Sequence, residues 1–173
     1  VTKKGGMPIE ELALNPVFDL ELFMILSQNK RLDAPTAAIA DECWVQWRDR
    51  MRGVRLGPEK GGYLLVWLDE SVEREVNKAW DDSPSRAFTM NSVAQSMLMA
   101  AIRDLVPEVA AGGCAPVPQP TPALKKALKE LGVAWSDSAA LERQYAMLTP
   151  FPFKGGCAIC FLNDTCPNAG KHG

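Results

Sequence analysis

Met90-Asn91-Ser92-Val93-Ala94-Gln95-Ser96-Met97-Leu98-Met99-Ala100-Ala101-Ile102-Arg103-Asp104-Leu105 is the most regular stretch of the chain. Its apolar positions, among them Met90, Val93, Ala94, Met97, Leu98, Ala101 and Ile102, recur at i, i+3, i+4 and i+7. That period predicts an amphipathic α-helix with one buried face. Pro107 and then Gly112-Gly113 close it.

Helical signals continue on both sides. Upstream, Asn15 reads as a cap with Pro16 in the first turn. The residues that follow, Phe18, Leu20, Leu22, Phe23, Met24, Ile25 and Leu26, are apolar all round, so this helix is expected at the centre of the core. A second helix is expected from Pro35 to Met51, with Ala40, Cys43, Trp44, Trp47 and Met51 on one stripe. Gly53 to Gly62 holds four glycines and a proline and reads as a loop. Tyr63 to Leu68 is strand-sized, with Gly132 to Trp135 as a weak partner. Asp69 or Ser71 caps a helix through Trp80. Downstream, Cys114 to Pro122 carries four prolines and must be extended or turning. Thr121-Pro122 opens a helix through Leu131, and Ala139 to Leu148 reads as a last amphipathic helix.

The fold class expected from these signals is mainly α: an irregular helical bundle with at most a minor two-stranded sheet and an irregular, cysteine-bearing C-terminal tail. Residues 1–14 are expected to be a flexible lead-in, 15–149 a helical domain, and 150–173 a metal- or cluster-binding tail packed on the loop around Cys114. At 173 residues the chain can bury a core without metal or disulfide staples.

A net charge of −2 supplies no global field for nucleic acid or anionic lipid. No apolar run approaches the ~18 residues of a membrane span, so no membrane association is expected. There is no secretory signal pattern at the start, and the odd cysteine count with its clustered spacing does not suit a secreted disulfide framework. A reducing, cytoplasmic setting is expected.

Three of those five cysteines form Cys157-Ala158-Ile159-Cys160, then Cys166-Pro167 after five residues. Cys114 lies 43 positions before Cys157. Thiolates at spacing two reach one centre from a tight turn, and five further residues let the chain arc round with a third ligand. Four thiolates suit a tetrahedral zinc or a cubane iron–sulfur cluster. Proline directly after a ligand cysteine accompanies iron–sulfur sites. Gly155-Gly156 lets the backbone approach something bulky, and Phe151, Phe153, Ile159 and Phe161 supply apolar cover.

The Cys-x2-Cys-x5-Cys spacing resembles the C-terminal cluster loop of the iron–sulfur DNA glycosylases. With the distant Cys114 it resembles more closely the iron staple of certain nucleases, where one remote cysteine joins three close ones. The resemblance covers about ten residues and one remote ligand. It implies the ligand set Cys114, Cys157, Cys160 and Cys166. The glycosylases' helix-hairpin-helix glycines and a nuclease carboxylate–lysine set are absent from the sequence.

Three explanations stay open. The first is a [4Fe–4S] cluster on those four cysteines. The second is zinc, on the same four or on the three tail cysteines with His172. The third is a Cys157–Cys160 redox pair or disulfide. Cys43, on an apolar stripe, reads as a buried small hydrophobe.

Trp44, Trp47, Arg48, Arg50, Arg52 and Arg55 form an aromatic and basic stretch. Trp47, Arg48, Arg52 and Arg55 are its candidate nucleic-acid contacts, weighed against tryptophans in the core and arginines on a solvated face. The single histidine excludes a His-rich catalytic metal centre, and no nucleophile or phosphate-binding motif is present. The expected function is cluster binding in a structural or electron-transferring role, as an accessory or regulatory protein with a redox or assembly protein partner and not an enzyme by itself. A zinc-stabilised module that binds protein or nucleic acid through the Trp44–Arg55 surface is the alternative.

Overall fold

The apolar run from Tyr63 is unbroken because both of its faces are buried. In the computed structural model, which describes residues 6–137 and 140–170, it forms strand β3 (Gly62–Leu68). Its antiparallel neighbours are β2 (Met51–Leu56) and β6 (Ala146–Phe151), and β1 (Ile9–Leu12) extends the sheet beyond β2. The order is β1-β2-β3-β6. Leu64, Val66 and Leu68 point into a large core shared with helices, whereas Leu65 and Trp67 point into a second core on the opposite face. A strand covered on both sides loses the polar–apolar alternation of a half-exposed one.

This sheet overturns the mainly-α expectation. The chain forms a four-stranded antiparallel sheet and a separate two-stranded one, β4 (Trp135–Ser136) with β5 (Ala140–Leu141), alongside its helices. The supposed loop from Gly53 is largely strand β2 and its hairpin turn, and Gly132 to Trp135 does not pair with β3. Ile9–Leu12, expected in the lead-in, are a sheet strand, and the boundary expected after residue 149 falls inside β6.

The helix expected from Ala139 to Leu148 is replaced by β5, a turn and β6; Ala139 itself lies outside the described residues. Leu141, Tyr145 and Leu148 have helical spacing but serve different cores. Tyr145 enters the large core, while Leu141 and Leu148 belong to the second. Pro150 in β6 conceals the strand in the sequence. Leu68 N–H donates to Tyr145 O at 3.0 Å, so ladder bonds fall on alternate residues from Tyr145, and the Pro150 nitrogen faces the sheet's outer edge.

Helices α1 (Leu20–Leu26), α2 (Ala34–Trp47), α3 (Glu70–Asp82), α4 (Pro84–Leu105) and the short α5 (Pro107–Ala110) build the large core. Helix α1 is capped by Asp19, which accepts Leu22 N–H at 2.9 Å, and not by Asn15. It is also peripheral: Leu22 and Phe23 are buried, but Ile25 is 66% exposed. Helix α2 ends at Trp47, and a 3-10 turn, Arg48–Arg50, leads into β2. Helix α4 is the hub, packed on α2, α3, α1 and β3. Its buried Ser92 and Ser96 donate to the helix's own carbonyls, Phe88 O at 2.9 Å and Val93 O at 2.8 Å, so they pack as small residues without an unmet polar group.

The second core is closed by α6 (Pro122–Glu130), capped by Thr121, with Leu124 and Leu128 against Val54, Leu56 and Leu65. The hairpin between β2 and β3 depends on Gly62. A Cβ there would lie 2.5 Å from Leu56 O and 2.7 Å from Pro58 O, both backbone atoms. Gly62→Ala must therefore shift the turn. We expect a stability loss of about 2 kcal/mol or more by urea denaturation, in the range of backbone-strain substitutions. An unchanged midpoint would show that the turn yields freely.

Candidate functional site

The site is built where two irregular segments meet. After α5, Gly113 N–H donates to Glu108 O at 3.1 Å, and the chain then runs without helix or strand through Cys114, Pro116 and Pro118. Proline keeps such a segment out of helix and fixes its course. The other segment leaves β6 and passes Phe153, whose ring packs on the large core. A Cβ on Gly155 would sit 2.9 Å from that ring, so the bulky group that Gly155 admits is Phe153 itself. Gly156 has φ +103°, a left-handed turn that feeds the 3-10 turn Cys157–Ile159.

Two hydrogen bonds stitch the segments together. Phe161 N–H donates to Val117 O at 2.8 Å, and Val117 N–H donates to Cys160 Sγ at 3.4 Å. A second sulfur contact runs from Gly170 N–H to Cys157 Sγ at 3.3 Å. Both donors lie outside the Cys-x-x-Cys turn, one on the Cys114 segment and one at the far end of the tail. Phe161 stands edge-on to Trp135, 5.1 Å between ring centroids, and so ties the tail to the sheet's second face.

Cys114, Cys157, Cys160 and Cys166 all line one small cavity of about 30 Å3, with Asn163 and Asn168 beside them. The structure thus gathers all four cysteines singled out in the sequence. All are free thiols. Cys114 is pushed above the ordinary thiol pKa, first by burial and then by repulsion from Cys160, Cys166 and Cys157. As they stand, no group of three or more His, Cys, Asp or Glu side chains is arranged to hold a metal ion among the described residues. His172 lies outside those residues. Cys43 is remote and buried, and burial pushes its thiol up to about 12.

The candidate nucleic-acid residues are dispersed. Trp47 is fully buried and donates from Nε1 to Glu75 Oε2 at 2.8 Å, so its ring offers no face for a base. Arg55 pairs with Glu10. Arg48 lies 3.9 Å from Asp49, and of the four only Arg48 and Arg52 are exposed.

Sequence reading missed a half-buried polar network behind the site. Arg143 Nε donates to Glu73 Oε1 at 2.7 Å, and both side chains are 15% exposed. Arg143 Nη2 also donates to Leu68 O at 2.8 Å, and Tyr145 OH donates to Asn91 Oδ1 at 2.9 Å. These bonds fix the start of β6 to α3 and α4. Their partners lie 54 to 75 positions apart, and no local pattern signals them.

Fold and site together define a mixed α and β protein with a four-cysteine cavity between its C-terminal tail and a proline-rich segment. No protein-family model, curated protein or solved structure matches the chain. No helix among the described residues is long and apolar enough to cross a membrane.

Proposed function

We propose that the protein holds one [4Fe–4S] cluster on Cys114, Cys157, Cys160 and Cys166, in a structural or electron-transferring role and as an accessory or regulatory protein. The observation that carries this reading is the convergence of four cysteines from two distant segments on one cavity. Four protein thiolates leave no open iron position, so the cluster would tie the tail to the Cys114 segment or pass electrons to a protein partner.

The proline directly after Cys166 favours a cluster over zinc, because proline in that position accompanies iron–sulfur ligand cysteines. The N–H groups of Val117 and Gly170 aimed at sulfur suit an anionic thiolate, and such bonds tune cluster potential.

Anaerobic purification with metal analysis and a visible spectrum tests the reading. We expect about four irons per chain and broad absorbance near ~400 nm. One colourless zinc per chain would replace the proposal with the zinc-stabilised module.

A further inference from the structure

Between Cys114 and Val117 successive residues border two different cavities. Cys114 and Pro116 line the cysteine cavity, whereas Ala115 and Val117 line a second, larger cavity of about 430 Å3. The tail repeats the division: Cys160 and Asn163 border the first cavity, Leu162 the second. The two cavities therefore share a wall one chain thick, held by the bonds between Val117, Cys160 and Phe161.

The volume of the second cavity falls within the ~300–1,000 Å3 of small-molecule sites. Leu141, Ala146 and Leu148 give it an apolar lining, and Arg143 borders it between Glu142 and Gln144. Two of the five guanidinium N–H groups are spent on Glu73 and Leu68 O, which leaves donors for an incoming oxygen.

We propose that this cavity binds a small, largely apolar molecule with one oxygen-acceptor end, and that its occupancy is coupled to the cysteine cavity through the shared wall. The binding half stands on the cavity alone; the coupling half rests on the cluster reading. The apolar body buries against Leu141 and Leu148 while the acceptor meets Arg143. A molecule pressing on Ala115 or Val117 moves the segment that carries Cys114 and alters the Val117–Cys160 contact. Coupling of this kind is reciprocal, so cluster loading must change ligand affinity by the same factor.

The test is a fluorescence titration with 8-anilinonaphthalene-1-sulfonate, which joins an aromatic body to an anionic acceptor, on anaerobic cluster-loaded and cluster-free protein. We expect one molecule per chain, and at least about tenfold weaker binding of N-phenyl-1-naphthylamine, which lacks the sulfonate. Ala146→Phe, which fills the cavity from β6, should weaken binding to a similar degree. Leu162→Phe fills it from the tail and serves if the strand variant does not fold. An affinity difference of about fivefold or more is expected between loaded and cluster-free protein. Equal binding of the uncharged analogue, or undiminished binding by the filled variants, overturns the site. Equal affinity with and without cluster overturns the coupling. Protein that takes up no iron overturns the cluster reading and the coupling with it, while the sulfonate arms still decide the cavity.

Discussion

Cys160→Ser is expected to reduce iron from about four per chain to less than one and to abolish the absorbance near ~400 nm, while the protein stays folded. Cys160 does three things at once. It borders the cavity, accepts the Val117 N–H at 3.4 Å, and begins the strand-like contact in which Phe161 N–H reaches Val117 O. A serine hydroxyl does not ionise as a thiolate does, and its oxygen is a harder ligand than the sulfur that iron–sulfur sites use. Folding survives because the two cores are built by the sheet, its helices and α6, and none of the four site cysteines contributes to either. Cys43→Ser is the matched control. Cys43 is 3% exposed and part of the large core, so its replacement should cost stability and leave iron content alone. Circular dichroism and iron analysis on the two variants separate ligand loss from unfolding. Full iron content in Cys160→Ser would remove it from the site.

Arg143→Met should produce the largest loss of stability. It removes the partner of Glu73, which is only 15% exposed, and deprives Leu68 O of a donor. Removing one partner of a buried ion pair costs about 3–5 kcal/mol, and the half-buried Glu73 belongs at the lower end of that range. At ~2–4 °C per kcal/mol for a chain of this size, the melting temperature should fall by about 10 °C. Replacing Glu73 by Leu in the same molecule should restore most of the loss, because desolvation of the pair then disappears together with its attraction. Urea denaturation of both variants checks this. A single variant as stable as the parent would mean that water reaches Glu73 readily despite its burial. The position matters to the site, because Arg143 anchors the start of β6, the strand from which the cysteine tail departs.

The readable parts of the chain were those whose cause is local. Helix α4 showed itself through Met90, Val93, Met97 and Ala101, which repeat on one face. Thr121 before α6 and Asp69 before α3 announced those helices because a cap bonds within three residues. Strand β3 was legible as an apolar run, but its partners were not. Strand β2 contains Arg52, Gly53 and Arg55, and β6 contains Thr149 and Pro150, which locally read as loop or helix. They are strands because β3 offers each a ladder and two cores to close, a tertiary cause that outweighs propensity. Trp47 shows the same limit in the opposite direction. Beside four arginines it looks like a stacking platform, yet the fold buries it and gives its N–H to Glu75.

For the cysteines, the grouping of three was already written in the chain, since Cys157, Cys160 and Cys166 lie within ten residues and a turn suffices to bring them together. The prolines of the Cys114 segment likewise exclude a helix there without any help from the rest of the fold. That Cys114 borders the same cavity as the other three follows from long-range packing. The sheet carries β6 back beside β3, Phe161 docks on Trp135 and Val117, and the two segments close one cavity from opposite sides. Such a meeting depends on contacts between residues far apart in the chain, and these exist only once the sheet has set the position of both ends.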